Sequence, residues 1–190
     1  NTKTNVVIEH DTFDVLDSYG RRTGRQHKNT YMHEHGLWHA SAHIWIYDGE
    51  GHVLLQRRSH HTWNYPDCWD ISSAGHLSAG ENAKTASIRE IKEELGLWVR
   101  PRDLQFIKRI RRMPWTEPYN QYHREYQYIY ALKLPQTTQF TPNPLEVSAI
   151  RWAKLEELKR AAKDTKGTRY VPHGEYYEQV YEWLSQLSSK

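Results

Sequence analysis

Cysteine is almost absent: Cys68 is alone among 190 residues, beside only two methionines and three phenylalanines. A lone thiol cannot close a disulfide within the chain, and its scarcity fits a reducing, cytoplasmic compartment. No apolar run approaches the roughly 18 residues of a membrane span. The polar beginning Asn1-Thr2-Lys3-Thr4-Asn5 is not expected to act as a secretory signal. Charge of one sign is also lacking, since 26 Lys and Arg against 23 Asp and Glu leave a formal net of +3. With no block of like charge to serve as a nucleic-acid arm, a nucleic-acid partner is not expected, whereas a small anionic ligand suits the mild excess. Internal repeats, low-complexity tracts and Gly/Ser linkers are missing too, so one domain over 1–190 is expected.

Hydrophobic residues reach only 37%, below the usual share of about 45–50%. Eight Trp and thirteen Tyr compensate, because each ring can bury roughly 150–250 Å². The same rings leave room for an aromatic homodimer interface.

The patterning predicts an N-terminal hairpin (about 11–25), a core (about 37–165) and a C-terminal helix (about 175–187). Strands are expected at Trp38–Tyr47 and His52–Gln56, joined by the turn Asp48-Gly49-Glu50-Gly51. Further strands are expected near Ile71–Ala74, Leu104–Arg111, Tyr122–Leu134 and Val147–Trp152, and helices near Asn82–Leu95, Leu155–Ala162 and Glu175–Leu187. The His-rich stretch Gln26–Leu37 has no clear assignment. Mixed strands with three helices indicate a layered α/β domain.

The central helix carries the chemistry. Ile88, Ile91 and Leu95 share one face, while Glu90, Glu93 and Glu94 fill an arc of roughly 100° opposite. Carboxylates at i, i+3 and i+4 repel by about 0.2–0.5 kcal/mol per close pair. Arg89, one turn from Glu93, is the neutralising charge. Such a cluster is either a solvated face or a seat for a hard divalent cation such as Mg²⁺. Arg89 beside Glu90, and glycines at 75 and 96 bracketing the helix, favour the cation.

The stretch Gly75–Leu97 matches the Nudix box, G-x5-E-x7-R-E-U-x-E-E-x-G-U, at all nine specified positions. The chain therefore resembles the Nudix hydrolase superfamily. Gly36-Leu37-Trp38-His39, Leu55-Gln56-Arg57-Arg58-Ser59 and Trp69–His76 make it similar to the branch that shares ancestry with isopentenyl-diphosphate isomerase. The resemblance implies an α/β/α sandwich with a mixed sheet and a loop–helix–loop motif. It also implies Mg²⁺- or Mn²⁺-dependent hydrolysis of a small-molecule diphosphate, such as a nucleoside diphosphate linked to another group. Glu93 and Glu94 would be metal ligands, helped by a backbone carbonyl near Ala74-Gly75. Glu90 would be a third ligand or the base, oriented with the others by Arg89 and Glu81.

The isomerases use a cysteine where this chain has Ala74, and Cys68 does not align with it. A basic residue expected after Arg57-Arg58 is also absent, with Thr62 near its place. Isomerase chemistry is thus disfavoured; a non-catalytic nucleotide-binding domain is the other alternative. His39 and His76 match two histidines of the isomerase metal site and Glu125 a glutamate, with His33 or His35 a further match and His123 at a second glutamate position. They suggest a second metal, Zn²⁺, Mn²⁺ or Fe²⁺, or in Glu125 an extra ligand or general base.

Arg57 or Arg58 is expected to contact phosphate, the other pointing away because strand side chains alternate. His76 is a candidate substrate contact, and Trp115 or Tyr119 a ring to stack on a base. Cys68 is expected to be a small buried thiol. Lys108–Arg112 reads as a basic strand edge, and Val171–Tyr177 as a turn capping the last helix, not itself a site but able to close over one.

Overall fold

The structure, a computed structural model, describes residues 11–112, 114–117 and 121–190, without the side chains of 115–117 and 121. Its centre is β3 (Trp38–Tyr47), a ten-residue strand buried along almost its whole length. β3 runs parallel to β9 (Gln121–Lys133) in a continuous register from Trp38↔Arg124 to Tyr47↔Lys133. It also pairs antiparallel with β6 (Ser73–His76), and at its end with β4 (His52–Arg58). β10 (Val147–Lys154) extends the sheet beyond β4, and β7 (Leu104–Arg111) beyond β9. β5 (Trp69–Asp70) and β8 (Trp115–Glu117) are short additions on β4 and β9. At the other side of β3, β1 (Thr12–Leu16) and β2 (Arg22–Lys28) form an antiparallel hairpin. The unassigned His-rich stretch contains α1 (Asn29–Glu34).

Period-two alternation sorts β3 and β9 into two cores. Ile44, Ile46, Tyr130 and Leu132 pack with Ala83, Ile91 and Leu95 of α2 (Ala83–Leu95). Trp45, Tyr47, Ile129 and Ala131 face the other way, against Leu158 and Ala161 of α3 (Glu157–Lys163) and Tyr177, Val180 and Leu184 of α4 (Tyr176–Ser188). One helix on one face and two on the other make the expected α/β/α sandwich. Each fully buried aliphatic chain contributes roughly 1.5–3 kcal/mol.

The strand expected near Ile71–Ala74 lies two residues later, at β6. Ile71 and Ser72 are instead a crossing between β5 and β6: Ile71 N donates to Asp70 Oδ1, and Ser72 Oγ bonds β4 at Leu54 and β3 at Ile46. Apolarity at Ile71 marked burial rather than pairing. The third helix likewise starts at Glu157 rather than Leu155, because Leu155 N is held by Gly51 O.

α2 begins where Asn82 Oδ1 accepts from Thr85 N at 2.9 Å. It stops at Gly96, whose φ of 67° is left-handed. A Cβ there would lie 2.5 Å from the Thr141 carbonyl oxygen. Replacing Gly96 by Ala should therefore lower stability by roughly 1–3 kcal/mol, read as a lower urea midpoint; an unchanged midpoint would contradict the stop.

Candidate active site

The box arginine is the hub of the α2 face. Arg89 Nε and Nη2 grip the Glu81 carboxylate at 2.8 and 2.9 Å. Its Nη1 donates to Glu90 at 2.8 Å and to Glu93 at 3.1 Å, and Nη2 also reaches the His76 carbonyl at 3.0 Å. Glu81 is itself fastened from outside: Arg22 of the hairpin donates to its carbonyl, while Asp14 accepts from Gly80 N.

The acidic arc is less exposed than its wheel position implies. Glu93 reaches solvent, but Glu90 and Glu94 are largely covered. Glu94 turns inward: Oε1 accepts from Ser73 Oγ (2.6 Å) and Ala74 N (3.0 Å), and Oε2 from Gln56 Nε2 (2.9 Å). The Glu90 carboxylate rests on Gly75, where a Cβ would come within 2.1 Å of it. Burial, then repulsion from Glu94, pushes the Glu90 carboxyl well above the usual range. Burial likewise pushes Glu94 up to about 7 despite its three donors. Three carboxylates around one guanidinium with Glu94 beside them, and Glu90 and Glu94 resisting ionisation, match a divalent cation.

β6 divides this face from a second cluster. Its alternate residues Ser73 and Gly75 touch α2, whereas Ala74 and His76 turn to the other side of the sheet. There a cavity of about 230 Å³ is lined by Ser41 and His43 of β3, His123, Glu125 and Gln127 of β9, and Ala74 and His76. Arg58, Asp70, Arg112 and the segment Val171–His173 complete its walls.

At one end His33, His39, His76 and Glu125 bring potential ligand atoms within 4.8 Å of one another. Asn29 O and Leu37 O take the Nδ1 protons of His33 and His39 at 2.9 Å each, which leaves both Nε2 atoms as bare acceptors. Both are buried without a hydrogen-bond donor. His39 Nε2 stands 3.5 Å from Glu125 Oε1, so two acceptors confront each other. Glu125 also takes bonds from His76, Ser41 and Gln127 at 3.0–3.2 Å. Burial opposes its charge, yet bonds from His123 and His76 hold its carboxyl well below the usual range. Burial pushes His33 down to about 4, so its ring is neutral. Imidazoles around an ionised carboxylate are the donor set of a transition-metal or zinc site.

The expected residues thus fall into two groups. Arg89, Glu90, Glu93 and Glu94 meet at α2; His39, His76 and Glu125 meet across β6, joined by His33. His35 stays outside, stacked on Tyr31. Arg58 lines the cavity, bonded to Asn64 and Asp70, while Arg57 turns to Asp67. Cys68 is buried against Gly167 O. The Trp115 side chain and Tyr119 lie outside the described residues. The turn at Val171–His173, which the sequence allowed to close over a site, does form a cavity wall, but sequence reasoning did not single out its residues. No local motif marks it, because it arrives through a parallel bridge between Trp69 and Tyr170.

Two outcomes follow from this geometry. Gly75→Ala should push Glu90 away from β6 and lower stability by roughly 1–3 kcal/mol, read as a lower urea midpoint; an unchanged midpoint would disprove the seat. For His43, burial pushes the pKa down to about 3. The unfolded chain then takes up a proton between about pH 6.5 and 3 that the folded ring refuses. Its stabilisation is complete above pH 6.5 and lost as pH falls through that window. Urea unfolding at pH 7 and 4.5 should show wild type losing about 2 kcal/mol more than His43→Gln; parallel losses would refute the burial effect.

Comparison with known proteins agrees with these features. The NUDIX domain family model matches residues 37–173. Nudix hydrolase 3 of Arabidopsis thaliana is 31% identical over 177 residues, 89% of this chain but 23% of that protein, so the chain spans about a quarter of this relative's length. An isopentenyl-diphosphate Delta-isomerase of Halorhodospira halophila is 28% identical, covering 83% of this chain and 87% of the enzyme. The crystal structure of DR0079 from Deinococcus radiodurans superposes with a TM-score of 0.64 at 19% identity, over 90% of this chain and 98% of that one. Among the described residues no helix is long and apolar enough to cross a membrane. With its box assembled on α2 and most of its length matched by the family model, the chain belongs to the Nudix family.

Proposed function

We propose that the chain is a divalent-metal-dependent hydrolase that cleaves a diphosphate bond in a nucleoside diphosphate linked to another group, or in a related organic diphosphate. The observation that carries this reading is the complete acidic box, with Glu90 seated on Gly75 and bound, like Glu93 and Glu81, to Arg89. Glu90, Glu93 and Glu94, with a carbonyl at Ala74 or Gly75, are the groups to hold Mg²⁺ or Mn²⁺. Such a cation neutralises the diphosphate, polarises the scissile P–O bond and lowers the pKa of a bound water. Arg89 keeps Glu90 and Glu93 at fixed positions, so little reorganisation is needed when charge develops. Glu94, held by Gln56, Ser73 and Ala74, ties the helix to β4 and β6 and keeps room for one further partner on Oε2.

The bare Nε2 atoms of His33 and His39 support a second metal, held by these two with His76 and Glu125. Isomerase chemistry has less support, because Ala74 stands in the cavity where the isomerases carry their cysteine.

The test is a panel of nucleotide sugars, dinucleoside polyphosphates, ADP-ribose, NADH, coenzyme A and isopentenyl diphosphate, read by mass spectrometry with Mg²⁺ or Mn²⁺. At least one should be hydrolysed, and Glu93→Gln should lose about 100-fold or more. Full activity in that variant would defeat the assignment, and tight nucleotide binding without turnover would favour a binding domain. Metal content measured in parallel should fall in His39→Ala and persist in Glu93→Gln if the histidine cluster is a separate centre.

A further inference from the structure

The sequence carries no long block of basic residues, but the fold gathers arginines from separate segments at the Trp38 end of β3. Arg109 and Arg111 come from β7, Arg124 from β9 and Arg21 from the turn between β1 and β2. On β9 the side chains of Tyr122, Arg124, Tyr126 and Tyr128 point to one side of the sheet, because strand residues alternate. Trp38 shares that side, its ring centroid 5.3 Å from that of Tyr126. The Arg111 guanidinium lies over Trp38 at 4.5 Å, and that of Arg109 over Tyr126 at 4.9 Å. The turn is fastened beside them. Tyr126 Oη donates to Ser18 O, and a Cβ at Gly20 would lie 3.0 Å from Arg109 and 3.1 Å from the Tyr126 ring. Ser18, Tyr19, Arg109, Arg111 and Tyr126 border an open hollow of about 470 Å³.

Charge on this surface is one-sided. Arg21 is paired with Asp17 at 2.9 Å, but among the described residues no carboxylate pairs with Arg109, Arg111 or Arg124. All three side chains belong to exposed residues. A guanidinium laid flat on a ring keeps its N–H edge free and loses little freedom when that edge takes an anion. Two large rings are exposed beside these arginines, Tyr19 at 71% and Tyr122 at 50%. Unpaired arginines next to exposed phenols supply both contacts that a single-stranded nucleic acid needs, phosphate on guanidinium and base on ring. An acidic peptide would engage the arginines and leave the rings bare. A second copy meeting the same face would set arginine against arginine.

We propose that this face of the sheet binds single-stranded nucleic acid, with Arg109, Arg111 and Arg124 on phosphates and Tyr19 and Tyr122 stacked on bases. From Tyr122 to Tyr126 the strand covers about 13 Å, room for a few nucleotides. None of these residues belongs to the acidic box or to the histidine cluster, so the surface acts whether or not the chain hydrolyses a diphosphate.

The experiment is fluorescence anisotropy of a labelled single-stranded RNA of about ten nucleotides, and of the same sequence as DNA, with the full chain. At least one should bind saturably. Three phosphate contacts predict a salt slope of about −2, so binding weakens about 20-fold between about 50 and 200 mM salt. Each of Arg109→Gln, Arg111→Gln and Arg124→Gln should make that slope shallower by about 0.7. Tyr19→Ala and Tyr122→Ala should each weaken binding at least about fivefold with the slope unchanged. All five residues are exposed, so the variants keep the fold, as circular dichroism would verify. No saturable binding up to about 10⁻⁴ M, or arginine variants within about twofold of wild type, overturns the proposal. So does a duplex that binds as tightly as the single strand, or a pair of tyrosine variants equal to wild type. Displacement of the strand by polyglutamate at equal charge would mark a surface for acidic protein and overturn it as well.

Discussion

The contact on which the site depends is that of the Glu90 carboxylate with the bare Cα of Gly75. It lets α2 approach β6 closely enough for Arg89 to reach the His76 carbonyl and for Glu94 to reach Ser73 and Ala74. Because residues on a strand alternate, the four residues that receive the acidic helix on one side present Ala74 and His76 on the other. One short strand thus forms the floor of two different chemical environments. Hard carboxylates gather beneath it, and imidazoles with the carboxylates of Glu125 and Asp70 gather above.

The two environments manage charge differently. At α2 the carboxylates outnumber the guanidinium, and burial makes ionisation costly for Glu90 and Glu94, so these groups by themselves are electrostatically unsatisfied. In the cavity Glu125 is ionised and well supplied with donors, while buried His33 and His43 are neutral. The cost of the first is tolerated because Arg89 and the strand amides fix the geometry in advance. Fixing a ring through its second nitrogen does the same for the histidines.

The layered fold was legible because β3, β7 and α2 carry strong local patterns, with the capping residue Asn82 and the stop at Gly96 marking the helix ends. The acidic box was legible for the same reason: its spacing is helical, so one element holds most of it. Burial of Glu90 and Glu94 was not legible, since it depends on Gly75 and Gln56 from other strands. His33 was recognisable only as one of two alternatives, because α1 has no amphipathic repeat to set its register. His173 gave no signal. Its partner Asp70 is 103 residues away, and nothing in Val171–Tyr177 announces that the segment turns back to β5.

That last connection bears on how the protein is made. The acidic helix and most of the histidine cluster lie in the first half of the chain, whereas the wall that closes the cavity is contributed by a segment within twenty residues of residue 190. Contacts of such sequence separation form late and slowly. During synthesis the acidic and histidine side chains therefore leave the ribosome well before the segment that walls the cavity does. Until the segment before α4 docks, the cavity side of β6 is left with an open back.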